Sequence, residues 1–257
     1  LCQPQTGAGP VHTAFQDNQR RFGRTETESG ASVMPTFYGK YRGLVTNNQD
    51  PLYMGRIRAH VPDVMGEENE SGWALPSAPF GGSGMGFFAL PKVGAGVWIE
   101  FEQGDPDYPI WSGCWWSSKE QVPDILYTNP EKKVLIKSEL GHSILLDDTD
   151  SKQITLQTPG KQKLVLEDGE GGGQITLQTA NGQKIVLTDA EGGQITIQTS
   201  GGQKVVLTDV GQITIQTTAG QKVVLQEAII QIDNATGATL ELSGPKIDMN
   251  HAALEVM

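Results

Sequence analysis

The second half of the chain is built from two short phrases in which apolar and polar side chains alternate. The first phrase, Gln-Ile-Thr-(Leu/Ile)-Gln-Thr, starts at Gln153, Gln174, Gln194 and Gln212. The second, Gln-Lys-(Leu/Ile/Val)-Val-Leu, starts at Gln162, Gln183, Gln203 and Gln221. Degenerate copies from Lys133, Ile229 and Lys246 raise the total to about six and a half repeats. Apolar residues two positions apart are typical of β-strands with one buried face.

The connections between the phrases indicate which parts of the repeat are fixed. The first phrase is always followed by a three-residue connection that contains glycine, such as Pro159-Gly160-Lys161 or Ala180-Asn181-Gly182. Glycine suits the positive φ of a tight corner. The connection after the second phrase varies in length. Because the length changes only in one kind of loop, the pattern predicts invariant strands of about five residues.

The apolar stripe of these strands is too narrow to enclose a core within one chain. A single chain would leave the stripe open, and such surfaces invite aggregation. Three copies around a threefold axis would cover the stripes of one another. We therefore predict an intertwined trimeric β-helix over residues 133–257, with Lys163, Lys184, Lys204 and Lys222 facing water. The residues assigned to the trimer core are Ile154, Leu156, Leu164, Leu166, Ile175, Leu177, Ile185, Leu187, Ile195, Ile197, Val205, Leu207, Ile213, Ile215, Val223 and Leu225.

Residues 34–118 read as short strands of a small closed barrel, which makes the predicted fold class all-β. Val97, Ile99 and Phe101 alternate with polar or amphipathic residues, the pattern of a half-buried strand. The segments 37–47 and 54–61 are similar, and turn residues separate them. The polar residues 1–33 are predicted to be an extension, and residues 119–132 a linker between the barrel and the repeats.

Composition narrows the classes of function. The formal net charge is −11, and the 19 basic residues are scattered, which argues against nucleic-acid binding because phosphate contacts need clustered Lys and Arg. Cys2 and Cys114 lie far apart and are expected to be free thiols. The chain has no apolar run of 18 residues, and its start lacks the features of a secretory signal. We expect synthesis in the cytoplasm without a signal peptide.

Several residues could carry chemistry, and each has a structural alternative. The acidic run 147–150 fits either a calcium loop or a solvated turn. Asp105 and Asp107 fit either a catalytic carboxylate pair or a turn beside proline, and we favour the turn in both cases. The glycine-rich segment 81–86 matches no nucleotide or nucleophile motif and is expected to be a flexible loop.

The aromatic residues and the C-terminal end also leave alternatives open. Trp111, Trp115 and Trp116 fit either a stacking platform for bases or sugars or, as we favour, the barrel core with a subunit contact. A threefold axis would bring three copies of His251 together, which makes His251 a metal candidate or a polar cap. We predict no catalytic residue, no cofactor and no metal, and therefore no enzyme.

The barrel region resembles the phage baseplate assembly protein V and type VI secretion spike family. The resemblance lies in 37–43 (Phe-Tyr-Gly-Lys-Tyr-Arg-Gly), 55–58 (Gly-Arg-Ile-Arg), 61–63 (Val-Pro-Asp), 93–98 (Val-Gly-Ala-Gly-Val-Trp) and the specific run 100–111, Glu-Phe-Glu-Gln-Gly-Asp-Pro-Asp-Tyr-Pro-Ile-Trp. It covers residues 34–118 closely and residues 133–257 in architecture. It implies an oligosaccharide/oligonucleotide-binding (OB) barrel followed by a trimeric β-helix needle.

The resemblance also implies a function and partners. The expected function is the central spike in the baseplate of a contractile injection machine, which is a phage tail or a phage-derived extracellular or type VI-like system, and the spike is expected to puncture the target envelope mechanically. The expected partners are a separate hub protein above the barrel, an inner tube and sheath, and a PAAR-like tip protein that contacts Asn250, His251, Val256 and Met257. The gap between barrel and needle is too short for an enzyme domain. The alternatives are an OB module that binds glycan or nucleic acid, and a carbohydrate-active β-helix enzyme.

Overall fold

The computed structural model describes residues 35–251 and 253–256. The chain divides into two compact units, with the boundary between Lys119 and Glu120. The predicted extension 1–33 and the predicted tip residue Met257 lie outside the described residues.

The first unit is a curled five-stranded sheet with the strand order β2-β1-β6-β7-β3. Its strands are β1 (Tyr41–Asn47), β2 (Arg58–His60), β3 (Leu75–Pro76), β6 (Gly96–Phe101) and β7 (Pro109–Trp115). Isolated bridges join Ile57 to Ala74 and His60 to Glu70. These bridges bring the segment leading into β3 back beside β2, so that the sheet closes on itself as a small barrel.

The hydrophobic core of this unit is buried by residues of the same chain. Ile57, Val97 and Ile99 have no exposed surface, and Phe101 is 7% exposed. Along β6 every second residue is buried, which is the pattern that the alternation at 97–101 predicts. The Phe37 and Tyr41 rings pack against the Phe101 ring with centroids 6.1 and 5.7 Å away. The barrel therefore excludes water from its interior without another subunit.

Two strands are shorter than the sequence pattern predicted. β1 begins only at Tyr41, and β2 only at Arg58. The cause at β2 is Asp50, whose carboxylate accepts the backbone N–H groups of Leu52 (3.0 Å) and Met54 (2.8 Å). A side chain that satisfies backbone donors in this way competes with strand pairing. Residues 52–56 consequently form an ordered turn.

The glycine-rich segment 81–86 was expected to be a flexible loop, and it contains a pair of short strands instead of a continuous loop. Its residues form a small hairpin of β4 (Gly81–Gly82) and β5 (Met85–Gly86). Gly84 takes the positive φ, 72°, that the tight turn requires. A four-residue helix, α1 (Pro62–Met65), follows β2. Within the described residues, no helix has the length and apolar character to cross a membrane.

The second unit contains a single sheet of fourteen strands, arranged in chain order from β8 to β21. Three short 3₁₀ turns (Lys119–Gln121, Asp124–Tyr127 and Pro130–Lys132) precede it. Its strands are β8 (Lys133–Lys137), β9 (Ser143–Asp147), β10 (Gln153–Gln157), β11 (Lys163–Glu167), β12 (Gln174–Gln178), β13 (Lys184–Thr188), β14 (Gln194–Gln198), β15 (Lys204–Thr208), β16 (Gln212–Gln216), β17 (Lys222–Leu225), β18 (Ile229–Asp233), β19 (Thr239–Ser243), β20 (Lys246–Met249) and β21 (Leu254–Val256).

Every neighbouring pair in this sheet is antiparallel and joined by a turn. The register puts Ile154 opposite Leu166, and Leu156 opposite Leu164. The same register recurs at Ile195, which lies opposite Leu207. The main-chain hydrogen-bond ladder thus runs within one chain over the whole sheet. The predicted mostly-β fold and the five-residue repeat strands are confirmed.

Candidate functional site

Two columns of apolar side chains run along one face of the fourteen-stranded sheet. The first column contains Val134, Leu146, Ile154, Leu166, Ile175, Leu187, Ile195, Leu207, Ile213, Leu225, Ile230, Leu242 and Ile247. The second contains Ile136, Ile144, Leu156, Leu164, Leu177, Ile185, Ile197, Val205, Ile215, Val223, Ile232, Leu240 and Met249. The columns include all sixteen residues assigned to the trimer core from the sequence. We call this surface the apolar face.

The apolar face is open to solvent in a single chain. Thirteen of the sixteen predicted core residues are between 36% and 49% exposed, and Leu164, Val205 and Val223 are half-buried. Within the described residues of this unit, no second layer of structure packs on the face. A surface this long and apolar marks an interaction site on a soluble protein.

The opposite face of the same sheet carries more polar residues than the apolar face, but its central side chains are less exposed to solvent. Its central positions alternate between threonine and valine, and Val206 and Val224 are only 9% and 7% exposed. The predicted water-facing lysines, among them Lys163 and Lys184, stand on this face at the strand ends and are half-buried. Long side chains at the strand ends can cover a central valine with their methylene stems. The face that needs a partner is therefore the apolar one.

A shallow trough of about 920 Å³ runs along one side of the apolar face. Its floor is the second apolar column, including Leu156, Leu177 and Ile197. Its rim is formed by turn residues, including Thr158 and Gln162. The trough therefore adds a concave border to the apolar face on one side of the sheet.

The turns on that side share one hydrogen-bond pattern. The Thr158 hydroxyl donates to the Gln162 side chain, and the Gln162 backbone N–H donates to the Thr158 hydroxyl (3.2 Å). The threonine N–H also donates to the glutamine carbonyl at 2.9 Å. Thr179, Thr199 and Thr217 donate to their glutamines in the same way. The Thr and Gln of the repeated phrases therefore fix the corner geometry.

The turns on the other side are stacked closely enough to require glycine. Gly172 has a φ of 131°, and a Cβ atom there would lie 2.8 Å from the Ala190 backbone nitrogen in the next turn. The neighbouring Gly171 has open space around it. Asp189 donates its backbone N–H to the Gly173 carbonyl at 3.0 Å. Successive turns on this side are thus linked to one another.

The acidic candidates from the sequence have structural roles. Asp147 accepts the Thr149 backbone N–H at 3.0 Å, and hydrogen bonds to Thr149 hold the pKa of its carboxyl below the usual range. Asp105 accepts the Asp107 backbone N–H at 3.0 Å, as expected for a turn. Among the described residues, no group of three or more His, Cys, Asp or Glu side chains is placed to hold a metal ion.

The tryptophans of the first unit are held by the barrel. Trp111 packs against the core and donates its indole N–H to the Gly55 carbonyl at 3.1 Å. Trp115 donates to the Val97 carbonyl at 3.1 Å and lies under the Arg42 guanidinium. Trp116 is 63% exposed. Two of the three candidate rings therefore support the fold, and only Trp116 presents an open surface.

The predicted tip residues lie at the end of the sheet. Asn250 and His251 form the turn between β20 and β21, and both have a φ of 54°. The Asn250 side chain accepts the Thr239 backbone N–H at 3.0 Å. His251 is exposed. Val256 ends β21.

Sequence reasoning missed one surface on the first unit, which we call the OB apolar patch. It comprises the exposed residues Leu52, Tyr53, Met54, Phe80, Met85 and Phe88. The Phe88 ring lies against Gly55, where a Cβ atom would meet it at 2.8 Å, so the two segments touch. Tyr53 is 94% exposed and has a φ of 55°. No periodicity marks this patch, because the Asp50 turn and the hairpin present its side chains.

Two protein families match the chain, one for each unit. Residues 41–116 match the type VI secretion system/phage-baseplate injector OB domain. Residues 153–192 and 194–255 match the phage baseplate V C-terminal trimerisation domain. The second match covers most of the sheet that carries the apolar face.

Similar proteins include spike proteins of type VI secretion systems. The chain is 39% identical over 82 residues to the actin cross-linking toxin VgrG1 of Vibrio cholerae, a match covering 31% of the chain and 7% of that protein. It is 32% identical over 83 residues to the spike protein VgrG4b of Pseudomonas aeruginosa, covering 31% of the chain and 10% of that protein. It is 36% identical over 84 residues to the spike protein VgrG3 of Vibrio cholerae, a match covering 32% of the chain and 8% of that protein.

These relatives are matched over about a tenth of their length or less. The OB domain is matched in the first unit and the trimerisation domain in the second. A barrel followed by a trimeric needle is the order that the resemblance implies. The chain therefore combines a type VI secretion system/phage-baseplate injector OB domain with a phage baseplate V C-terminal trimerisation domain.

Proposed function

We propose that three copies of this chain assemble through the apolar face into a β-helical needle, which acts as the central spike in the baseplate of a contractile injection machine. The observation that carries the proposal is the uninterrupted apolar face along the repeat sheet. The trimerisation-domain match and the spike proteins among the relatives support it.

The energetics favour burial of this face in an assembly. Full burial of a Val, Leu or Ile side chain contributes about 1.5–3 kcal/mol relative to exposure. The sixteen core residues are already partly covered, but each still loses a large exposed fraction when three faces meet at an axis. Because the ladder is made within each chain, side chains of the apolar face would form the interior of the needle.

The proposed action is mechanical. A continuous ladder of β-strands around a dry, close-packed interior resists compression and local opening. The contraction of a sheath would supply the energy, and the needle would rupture the target envelope without catalysis. The turn role of Asp105, the foremost carboxylate candidate of the barrel, fits this non-enzymatic reading.

The proposed partners are assigned to two surfaces, one on each unit. We assign the contact with a hub protein to the OB apolar patch, since a contiguous exposed apolar surface is typical of a protein interface. We assign a PAAR-like tip protein to the end of the sheet, where Asn250 and His251 are presented. The inner tube and sheath would be contacted indirectly through the baseplate of a phage tail or extracellular particle.

Molar mass in solution tests the assembly directly. Light scattering should give about three times the 27.7 kDa of one chain, and an unboiled sample should stay trimeric in SDS because the apolar faces must separate along the whole needle before the chains come apart. A monomer that dissociates freely would contradict the spike and favour an OB binding module.

The spike role itself is tested in an injection particle. A chain whose apolar face carries a charge, for example Ile195→Lys, should leave the particle unable to puncture its target. Particles that still puncture with this variant would contradict the proposed role.

A further inference from the structure

In the central part of the fourteen-stranded sheet, from β10 to β17, the two edges carry opposite charges. One edge comprises the turns and strand ends 157–163, 178–184, 198–204 and 216–222, where Lys161, Lys163, Lys184, Lys204 and Lys222 occur without any acidic residue. The outer turns of the same edge, 137–143 and 233–239, carry Glu139 and Asp233. We call this edge the lysine edge.

The opposite edge comprises 147–153, 167–174, 188–194, 208–212 and 225–229. Its acidic residues include Asp147, Asp148, Asp150, Glu167, Asp168, Glu170, Asp189, Asp209 and Glu227. Lys152 is the one basic residue within these ranges, and Lys133 and Lys246 lie on the outer strands of the same edge. We call this edge the acidic edge.

Three lysines of the lysine edge, Lys163, Lys184 and Lys204, have no acidic residue opposite them in their own sheet. Lys163 lies opposite Gln157 and Gln178, and Lys184 opposite Gln178 and Gln198. Among the residues that the structure describes, Lys163, Lys184 and Lys204 form no ion pair, whereas Lys222 lies 3.8 Å from Asp233. The acidic edge is a whole strand away, about 17 Å for five residues. Pairing between the two edges of one chain is therefore impossible.

Cyclic symmetry decides which edges can meet in a trimer. When three sheets turn their apolar faces to a threefold axis, their edges adjoin at three corners. Interfaces around such an axis are heterologous, so one edge of each chain meets the other edge of its neighbour. A sheet with like charges on both edges would repel at every corner. A sheet with opposite charges attracts at every corner.

We infer that the lysine edge of each chain docks against the acidic edge of a second copy of this chain, so that the repeated Lys and Asp/Glu residues close the corners of the needle. The inference rests on the proposed trimer and identifies which edges of adjacent chains are in contact. Both edges present their charges on every second strand, so their axial spacings match at about 9.6 Å.

Shape agrees with this arrangement. The trough lies on the lysine edge, where Thr158 and Gln162 form a rim beside the second apolar column. It is continuous with the apolar face, so the neighbour that covers the face also borders the trough. The lysine edge thus presents both a concave border and a positive charge to the neighbouring chain.

Charge reversal in the full-length chain tests the inference. The first variant is Lys163→Glu/Lys184→Glu/Lys204→Glu, and the second is Asp168→Lys/Asp189→Lys/Glu227→Lys. A third variant combines all six changes and swaps the two edges. The matched control is Lys163→Gln/Lys184→Gln/Lys204→Gln, which removes attraction without adding repulsion. The rate at which the trimer dissociates in SDS at fixed temperature is measured for each.

Exposed ion pairs are individually weak, but each is repeated three times around the axis. Each single-edge reversal should speed dissociation by roughly tenfold or more, and the glutamine control by less. In a mild denaturant without detergent, added salt should restore the single-edge variants, because it screens repulsion. The edge-swapped variant should return to within about threefold of the parent, as restored complementarity requires.

The outcomes separate this inference from the proposed function. If the parent is a trimer but neither charge reversal changes its dissociation rate, the edges do not meet. The same conclusion follows if the edge-swapped variant dissociates as fast as the effects of both reversals together would predict. In either case only the inference is overturned. If the parent chain itself is monomeric, the proposed spike is overturned, and the edge contact with it.

Discussion

The two units of this chain solve the burial of apolar side chains in opposite ways. In the barrel, Ile57 and Ile99 have no exposed surface, because the curled sheet closes over them. In the repeat sheet, Ile195 and Ile197 stand 41% and 48% exposed, because one flat layer cannot cover its own face. The difference shows that the barrel buries its own core, whereas the repeat sheet leaves an apolar face that one chain does not cover.

The tryptophans allow the two units to be followed separately. All five tryptophans lie between Trp73 and Trp116, and the repeat region 133–257 contains none. Tryptophan fluorescence therefore reports on the barrel alone. Trimer resistance to SDS reports on the repeat sheet.

The largest effect is expected from a charge on the apolar face. Ile195→Lys would bring three ammonium groups to the proposed axis, and an unpaired buried charge costs several kcal/mol. We expect complete loss of the SDS-resistant trimer with unchanged barrel fluorescence. Thr196→Lys, on the same strand but the opposite face, is the control and should remain trimeric. Equal damage from the two variants would contradict the assignment of the faces.

The next effect is expected in the barrel core. Ile99→Ala should destabilise the barrel by about 2–5 kcal/mol, because it leaves a cavity around a fully buried position. Unfolding in urea, followed by fluorescence, measures the loss. Leu44→Ala, at a position 46% exposed on the neighbouring strand, should cost much less. A weaker SDS-resistant trimer in Ile99→Ala would mean that the two units do not fold independently.

A smaller effect is expected at the stacked turns of the repeat sheet. Gly172→Ala should destabilise each chain by about 1–3 kcal/mol, because the position has a positive φ and its Cβ would press on the backbone at Ala190. Gly171→Ala, one residue earlier and with open space around it, should be close to neutral. Thermal dissociation of the trimer compares the two, and equal midpoints would refute the stacking of these turns.

The smallest effect concerns pH and the Asp50 turn of the barrel. The hydrogen bond from the Arg56 guanidinium, with help from backbone N–H groups, holds the pKa of Asp50 far below its usual range. The folded-state pKa is depressed, so this carboxylate stabilises the barrel fully above the unfolded value of about 4 and loses its contribution as the pH falls further.

The Asp50→Asn variant tests this dependence. It should melt a few degrees lower than the parent near pH 7, and the gap should narrow as the pH falls below about 4. Fluorescence-detected melting at a series of pH values measures both. Asp63→Asn, at an exposed helix position, is the control. A gap that is constant with pH would exclude the charge of Asp50 as the cause.

Much of the repeat sheet could be predicted from the sequence because its pattern is local. The alternation in the phrases placed the strands, and the side-chain period of two placed Ile154 and Leu156 on one face. The assignment of these residues to a trimer core remains a prediction. Less of the barrel was predictable, since the Asp50 turn and the hairpin at 81–86 depend on contacts between distant segments, such as Phe88 against Gly55.

The sequence by itself determined the strand period, the tight corners and the need for a partner, because each follows from neighbouring residues along the chain. Only the tertiary structure decided the register of the fourteen strands, and with it the alignment of the lysines on one edge and the acidic residues on the other. The physical reason is that the position of a charged residue along the sequence does not by itself define which edge of a sheet the residue will occupy. Antiparallel pairing places alternate turns on opposite edges of the sheet, and this pairing assigns each charged turn to one edge.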